Sequence, residues 1–140
     1  MIVGPIVAVV VAVSDGDTLT ARPTDGSQMK IRVAEIDAPE SRQPFGAASK
    51  RSLSDLCFNV RAEIQPQKTD RYGRTVARVT CRGKDASAHQ VRTGMAWVFD
   101  RYSTDQILYR DQDEARAAGR GLWSEPAPTP PWEWRRRKVP

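Results

Sequence analysis

The sequence predicts a mainly β fold with about three added α-helices. Three observations point to it. β-Branched or alternating apolar runs recur between short turn signals, three of them within the first 36 residues. Two later stretches, 60–65 and 74–80, alternate in the same way. Helical spacing of apolar residues is confined to a segment after the third run and to the stretch after residue 85. The chain has 140 residues, the size of one ordinary domain, and is 39% hydrophobic and 28% charged. That composition excludes a disordered chain and a coiled-coil rod.

The elements follow in order. Residues 6–13 form a β-branched run that reads as a core strand. The run resembles the apolar part of a signal peptide, but no Lys or Arg precedes it, and cleavage after it would remove the strand. It is also too short to span a bilayer. Ser14-Asp15-Gly16-Asp17 is a turn signal, and residues 18–22 resume a strand. Thr24-Asp25-Gly26-Ser27 is a second turn. Residues 29–36 make a third strand, closed by Pro39. Residues 46–59 carry Ala48, Leu53, Leu56 and Cys57 near helical spacing. The strands at 60–65 and 74–80 flank the polar loop Lys68-Thr69-Asp70-Arg71-Tyr72-Gly73. Residues 86–94 read as a helix ending at Gly94, and Ser103-Thr104-Asp105 caps another that runs to about Gly119. Residues 126–131 hold four prolines and read as extended. Five strands with a helix inserted after the third, then terminal helices, predict a five-stranded Greek-key barrel of the OB type. The division is a domain over 1–125 and a Pro/Trp/Arg-rich tail over 126–140.

The net charge is +5, of which the tail carries +3 and residues 1–125 only +2. A basic surface suits a polyanionic partner, and most of the excess field belongs to the tail. Cys57 and Cys81 are either a disulfide or two buried thiols, and neither lies in a CxxC pair that would suggest zinc. His89 is the only histidine and cannot build a metal site by itself. Trp97, Phe99 and Trp123 sit beside apolar neighbours and read as core. Trp132 and Trp134 read as packing back onto the domain. Arg135, Arg136, Arg137 and Lys138 read as a solvated run or as auxiliary phosphate contacts.

Three clusters mix acids with arginine beside a turn: Asp15-Gly16-Asp17-Thr18, Arg32 through Asp37-Ala38-Pro39-Glu40, and Asp70-Arg71-Tyr72-Gly73-Arg74. Singly, each is an ordinary turn or strand end. Jointly they are chemically coherent. Carboxylates from two loops with no His or Cys nearby suit a hard cation such as Ca²⁺. Two arginines can fork around a phosphate, and a further carboxylate can take a proton from water. These are the parts needed for phosphodiester hydrolysis.

The three motifs in this order resemble the staphylococcal-nuclease-like (thermonuclease) family. The matching pieces are Val13-Ser14-Asp15-Gly16-Asp17-Thr18-Leu19, Ile31-Arg32-Val33-Ala34-Glu35-Ile36-Asp37-Ala38-Pro39-Glu40 and Thr69-Asp70-Arg71-Tyr72-Gly73-Arg74-Thr75-Val76-Ala77. Softer matches at Gly94-Met95-Ala96 and Gly121-Leu122-Trp123-Ser124 extend the similarity from about residue 5 to 125. The resemblance implies an OB barrel and one Ca²⁺ ion, ligated by Asp17, Asp37 and the Ala38 carbonyl. It implies Glu40 as general base, Arg32 and Arg74 on the scissile phosphate, and Asp15 just outside the ion. Arg71 and Tyr72 match contacts to a terminal phosphate, and Tyr102 matches one tyrosine of the nucleotide pocket. Two departures stand out. The family's prototype carries a second tyrosine where this chain has Asp100, and the stretch 41–46 is shorter than the prototype's loop.

The resulting expectation is a Ca²⁺-dependent, sequence-nonspecific endonuclease or exonuclease. It would act on DNA and RNA, prefer single strands and leave 3′-phosphate ends. A secreted or periplasmic location follows from the resemblance alone. Nothing in the sequence demands more than a monomer or suggests membrane insertion. The alternative is a noncatalytic nucleic-acid- or protein-binding module on the same fold, against which stands the presence of Asp17, Arg32, Asp37, Glu40 and Arg74.

Overall fold

The structure, a computed structural model, describes residues 4–99 and 105–137. Five long strands build the barrel: β1 (Ile6–Asp15), β2 (Thr18–Pro23), β3 (Met29–Val33), β5 (Arg61–Thr69) and β6 (Thr75–Cys81). Their order is β3-β2-β1-β5-β6, and a parallel pairing of β3 with β6 closes it. All other neighbours in the barrel are antiparallel. Alternation sets the interior. Val10, Leu19, Ala21, Ile31, Val33, Ala62, Ile64, Ala77 and Val79 are all fully buried. β7 (Lys84–Asp85) pairs with the end of β6 beyond the stretch that meets β3.

The third predicted strand is two. The chain breaks after Val33, and Glu35 adopts a left-handed φ of 69°. A two-residue β4 (Ile36–Asp37) then leaves the barrel and pairs with β8 (Trp97–Val98). The break turns Asp37 and the following loop over the barrel end. Arg78 on β6 holds it there, because its guanidinium binds Glu35 together with Asp85 and Asp105. Asp85 and Asp105 are the N-caps of α2 (Ala86–Arg92) and α3 (Gln106–Ala118). One arginine therefore ties the strand break to two helix starts.

Helix α1 (Gly46–Cys57) buries Leu53, Leu56 and Cys57 and packs on β1 and α2. α3 ends at Gly119 in the left-handed conformation. Trp123, in the 3₁₀ turn Gly121–Ser124, packs edge-on against Trp97, with centroids 4.4 Å apart. Of the stretch 126–131 read as extended, residues 126–130 lie outside any helix, but Pro131 is the first residue of one. A fourth helix, α4 (Pro131–Arg137), was not legible from periodicity. Seven residues are too few to show a pattern, and Pro131 is tolerated because it occupies the first turn. Trp132 packs back on Trp97 and Phe99, at 5.6 and 5.8 Å, as the sequence predicts. Among the described residues, no helix is long and apolar enough to cross a membrane.

Cys57 and Cys81 form a disulfide with both residues fully buried, joining the end of α1 to the end of β6 across a separation of 24 residues. The open choice between bridge and thiols is thereby settled for the fold. Loop-closure entropy for that separation corresponds to about 3–4 kcal/mol of stabilisation. Urea unfolding with and without reductant should show a loss of that order. A loss under about 1 kcal/mol would show that the packed ends of α1 and β6 stay together unaided.

Candidate active site

The β1–β2 turn supplies the first carboxylate. Asp15 Oδ1 accepts the Asp17 amide at 3.0 Å, which curls the turn tightly. Gly16 allows the curl to press on the molecule: a Cβ there would lie 1.8 Å from Ser49 Oγ and 2.9 Å from Ala38 Cβ. Gln90, fully buried on α2, donates to the Gly16 carbonyl at 2.8 Å and to the Ser49 carbonyl at 3.0 Å. Asp17 is thus aimed inward. Its Oδ2 accepts the Ala38 amide at 2.7 Å, and its carbonyl accepts the Val33 amide at 2.8 Å.

Arg32 and Asp37 complete the centre. Arg32, on β3, places Nη2 3.3 Å from Asp17 Oδ2 and 3.4 Å from Asp37 Oδ1, while Nη1 donates to the Val33 carbonyl at 2.8 Å. Asp17 and Asp37 are 6% and 1% exposed, so both carboxylates are desolvated and depend on this guanidinium. Glu40 follows Pro39 on a loop fixed by Gln43, whose side-chain oxygen accepts the Glu40 amide at 3.0 Å. Gly46 is required beneath it, since a Cβ there would lie 2.0 Å from the Glu40 carbonyl oxygen.

The third carboxylate contact comes from the tail. Arg135, on α4, donates from Nη2 to Asp37 Oδ2 at 2.6 Å and from Nη1 to Glu40 Oε1 at 2.7 Å. Gln43 Nε2 donates to the Thr129 carbonyl at 2.6 Å and clamps the tail to the same loop. The basic run therefore divides. Arg135, its side chain 46% exposed, lays its guanidinium on the site, while Arg136 is exposed and Arg137 reaches Thr129 Oγ1 at 3.3 Å. Lys138, the fourth member, lies outside the described residues, as does Tyr102.

Arg74 is placed near but not in the centre. It immediately precedes β6, whose Thr75 pairs with Ile31 beside Arg32. Its Nε donates to Asp70 Oδ2 at 2.8 Å, and Asp70 Oδ1 accepts the Tyr72 and Arg74 amides. Arg71 and Tyr72 stand at the tip of the same hairpin, with Tyr72 69% exposed and Arg71 Nη2 donating to its hydroxyl at 2.9 Å. The structure thus gathers Asp15, Asp17, Arg32, Asp37, Ala38 and Glu40, and leaves Arg71, Tyr72 and Arg74 on a neighbouring loop. Sequence reasoning missed Gln43, Ser49 and Gln90 as supports and the contact of Arg135 with the site. Ser49, Gln90 and Arg135 carry no local signal, because each acts across a long chain separation; Gln43 adds to its bond with Thr129 a local one to the Glu40 amide.

Electrostatics favour an added cation. Burial, with Asp17 beside it, pushes the Asp15 carboxyl up to about 7. Burial also works against ionisation of Asp17, but Arg32 and the hydrogen bonds around it hold that carboxyl below the usual range. Asp37 is pushed up by burial despite the pull of Arg135 and Arg32. Among the described residues, no group of three or more His, Cys, Asp or Glu side chains is placed so that it could hold a metal ion. The donors on offer are the carboxylates of Asp17 and Asp37 with the adjoining Ala38. An all-oxygen set carrying excess buried negative charge fits a hard divalent cation.

Gly16→Ala should force the turn away from Ser49 and Ala38 and cost about 1–3 kcal/mol, as overpacking typically does. Thermal denaturation reads the cost. An unchanged melting temperature would mean that the turn moves freely and does not fix Asp17.

The chain matches known proteins along most of its length. Residues 30–125 match the family described as Staphylococcal nuclease homologue. A Haemophilus influenzae protein named "Uncharacterized endonuclease" is 43% identical over 92% of this chain and 72% of its own length. An Escherichia coli protein of the same name is 40% identical over 92% of this chain and 84% of its own. A Shigella flexneri protein named "Micrococcal nuclease" is 37% identical over 91% and 79%. With the closed five-stranded barrel and the Asp17–Arg32–Asp37 centre at its end, these matches place the chain in the staphylococcal nuclease homologue family.

Proposed function

We propose that the chain is a nuclease that hydrolyses phosphodiester bonds of DNA and RNA, dependent on one Ca²⁺ ion and with little sequence specificity. The observation that carries the reading is the convergence of Asp17, Asp37, Arg32 and Glu40 at one end of the barrel, in a family whose relatives bear nuclease names. Asp17, Asp37 and the Ala38 carbonyl would hold the ion, which supplies charge neutralisation at the phosphate when bound.

The chain's own groups perform the rest. Arg32 offers a fork to a phosphate oxygen from a rigid strand, where planar geometry counts as much as charge. Glu40, one-third exposed, can take a proton from the attacking water. Water attacks phosphorus, the bond to the 5′ oxygen breaks, and a 3′-phosphate and a 5′-hydroxyl result. In this reading Arg74, now on Asp70, turns to join the phosphate. Exposed Tyr72 with Arg71, and Tyr102, are assigned to the rest of the nucleotide. Such a surface takes an unpaired nucleotide, so single strands are the preferred substrate. The protein works as a monomer, and the buried disulfide suits an oxidising compartment outside the cytoplasm.

The test is digestion of heat-denatured DNA with Ca²⁺ and with a chelator. Cleavage should require Ca²⁺ and vanish in Glu40→Ala. DNA binding without cleavage would favour a noncatalytic module instead. Arg32→Lys keeps the charge and loses the fork, and should lower kcat by about 10²–10³-fold. Near-normal turnover in that variant would remove Arg32 from the phosphate.

A further inference from the structure

The tail contact has a chemical consequence that the nuclease reading does not contain. Arg135 engages both oxygens of Asp37: Nη2 is 2.6 Å from Oδ2 and Nη1 is 3.3 Å from Oδ1. The same Nη1 lies 2.7 Å from Glu40 Oε1. One guanidinium thus spans a carboxylate assigned to the ion and the carboxylate assigned as base. The approach is built, not incidental. Trp132 stacks on Phe99 and meets Trp97 edge-on, Gln43 holds the Thr129 carbonyl, and Pro131 starts the helix that presents Arg135. Trp134 lines a cavity between the tail and the Glu40 loop together with Pro39, Phe45 and Trp97.

We infer that α4 is an internal latch in which Arg135 and the divalent cation are mutually exclusive occupants of Asp37. The inference rests on the Ca²⁺ reading above. Like charges sharing one buried ligand oxygen repel strongly at low dielectric. A divalent ion at Asp37 therefore expels the Arg135 guanidinium. Its departure also frees Glu40 Oε1, so loading of the ion and release of the base are one event. The latch neutralises the two carboxylates before the ion arrives. The aromatic seat of Trp132 keeps the helix near after release, which makes the exchange reversible.

Isothermal titration with calcium chloride tests this, using the full chain and two variants. Arg135→Gln should tighten Ca²⁺ binding by about tenfold or more. Arg136→Gln removes the same charge one residue away, from an exposed position, and should change the affinity by less than about twofold. Equal affinities in the wild type and Arg135→Gln, or equal gains in both variants, would overturn the latch and leave the Ca²⁺ reading intact. Absence of Ca²⁺ binding in all three proteins would overturn both. A second readout needs no variant. The guanidinium nitrogen resonances of Arg135, distinct while the group is held by two carboxylates, should merge as calcium is added. Their persistence at saturating calcium would show that the contact and the ion coexist, against the inference.

Discussion

Two buried carboxylates sharing one guanidinium organise this molecule. Asp17 comes from the β1–β2 turn and Asp37 from β4, and Arg32 between them offsets the repulsion of the two carboxylates. The strands accept this arrangement because Arg32 sits in the register of the barrel, opposite Thr18 on β2 and Val76 on β6. Its backbone is fixed on both sides before its side chain is asked to bind anything. The cost of desolvating the charges is offset by backbone amides: Ala38 donates to Asp17, and the Asp17 amide to Asp15. A site built in this way holds its acids in place before any substrate arrives, Asp17 and Asp37 on Arg32 and Asp37 with Glu40 on Arg135.

A second guanidinium does the architectural counterpart of that work. Arg78 binds Glu35 at the strand break and the caps of α2 and α3, so the path of the chain into Asp37 is anchored to both helices. Burial alone would disfavour its charge, but Asp85 and Glu35 hold it protonated above its ordinary value. The left-handed backbone at Glu35 is a cost that a non-glycine residue bears only when its side chain is well held. Arg78 supplies that hold, and the result is the turn that carries Asp37 across the barrel end to pair with β8.

The barrel was legible because its strands are β-branched or alternating runs set between turn signals, and the first turn because Asp and Gly announce it. The split at Val33 was not, since 29–36 carries no turn residue and reads as one strand, and the tertiary contact of Arg78 with Glu35 marks where it breaks. In the site, the acids and Arg32 were visible as types clustered beside turns. Their supports were invisible: Gln90 reaches Gly16 across 74 residues and Gln43 reaches Thr129 across 86, distances at which no periodicity survives. Arg74 was legible as a candidate, but its present bond to Asp70 follows from the hairpin's own turn chemistry, a local preference that substrate would have to outcompete.

The basic tail shows why composition alone misleads about partners. Counted as charge, Arg135, Arg136 and Arg137 are equivalent and suggest a phosphate-binding strip. Placed on a helix whose aromatic face is seated by Trp132, they cannot be equivalent, because successive residues point about 100° apart. Arg135 and Arg136 stand three and four positions after Trp132 and so flank its side of the helix, and Arg135 is the one that reaches the carboxylates of the site. Its target is the most strongly buried acid of the site. The excess positive charge of the sequence is therefore partly spent inside the molecule, on Asp37 and Glu40, and the field offered to a polyanion by the resting protein is smaller than the formal charge implies. Any event that withdraws Arg135 from those carboxylates returns that charge to the surface beside the site, where a nucleic-acid backbone would meet it.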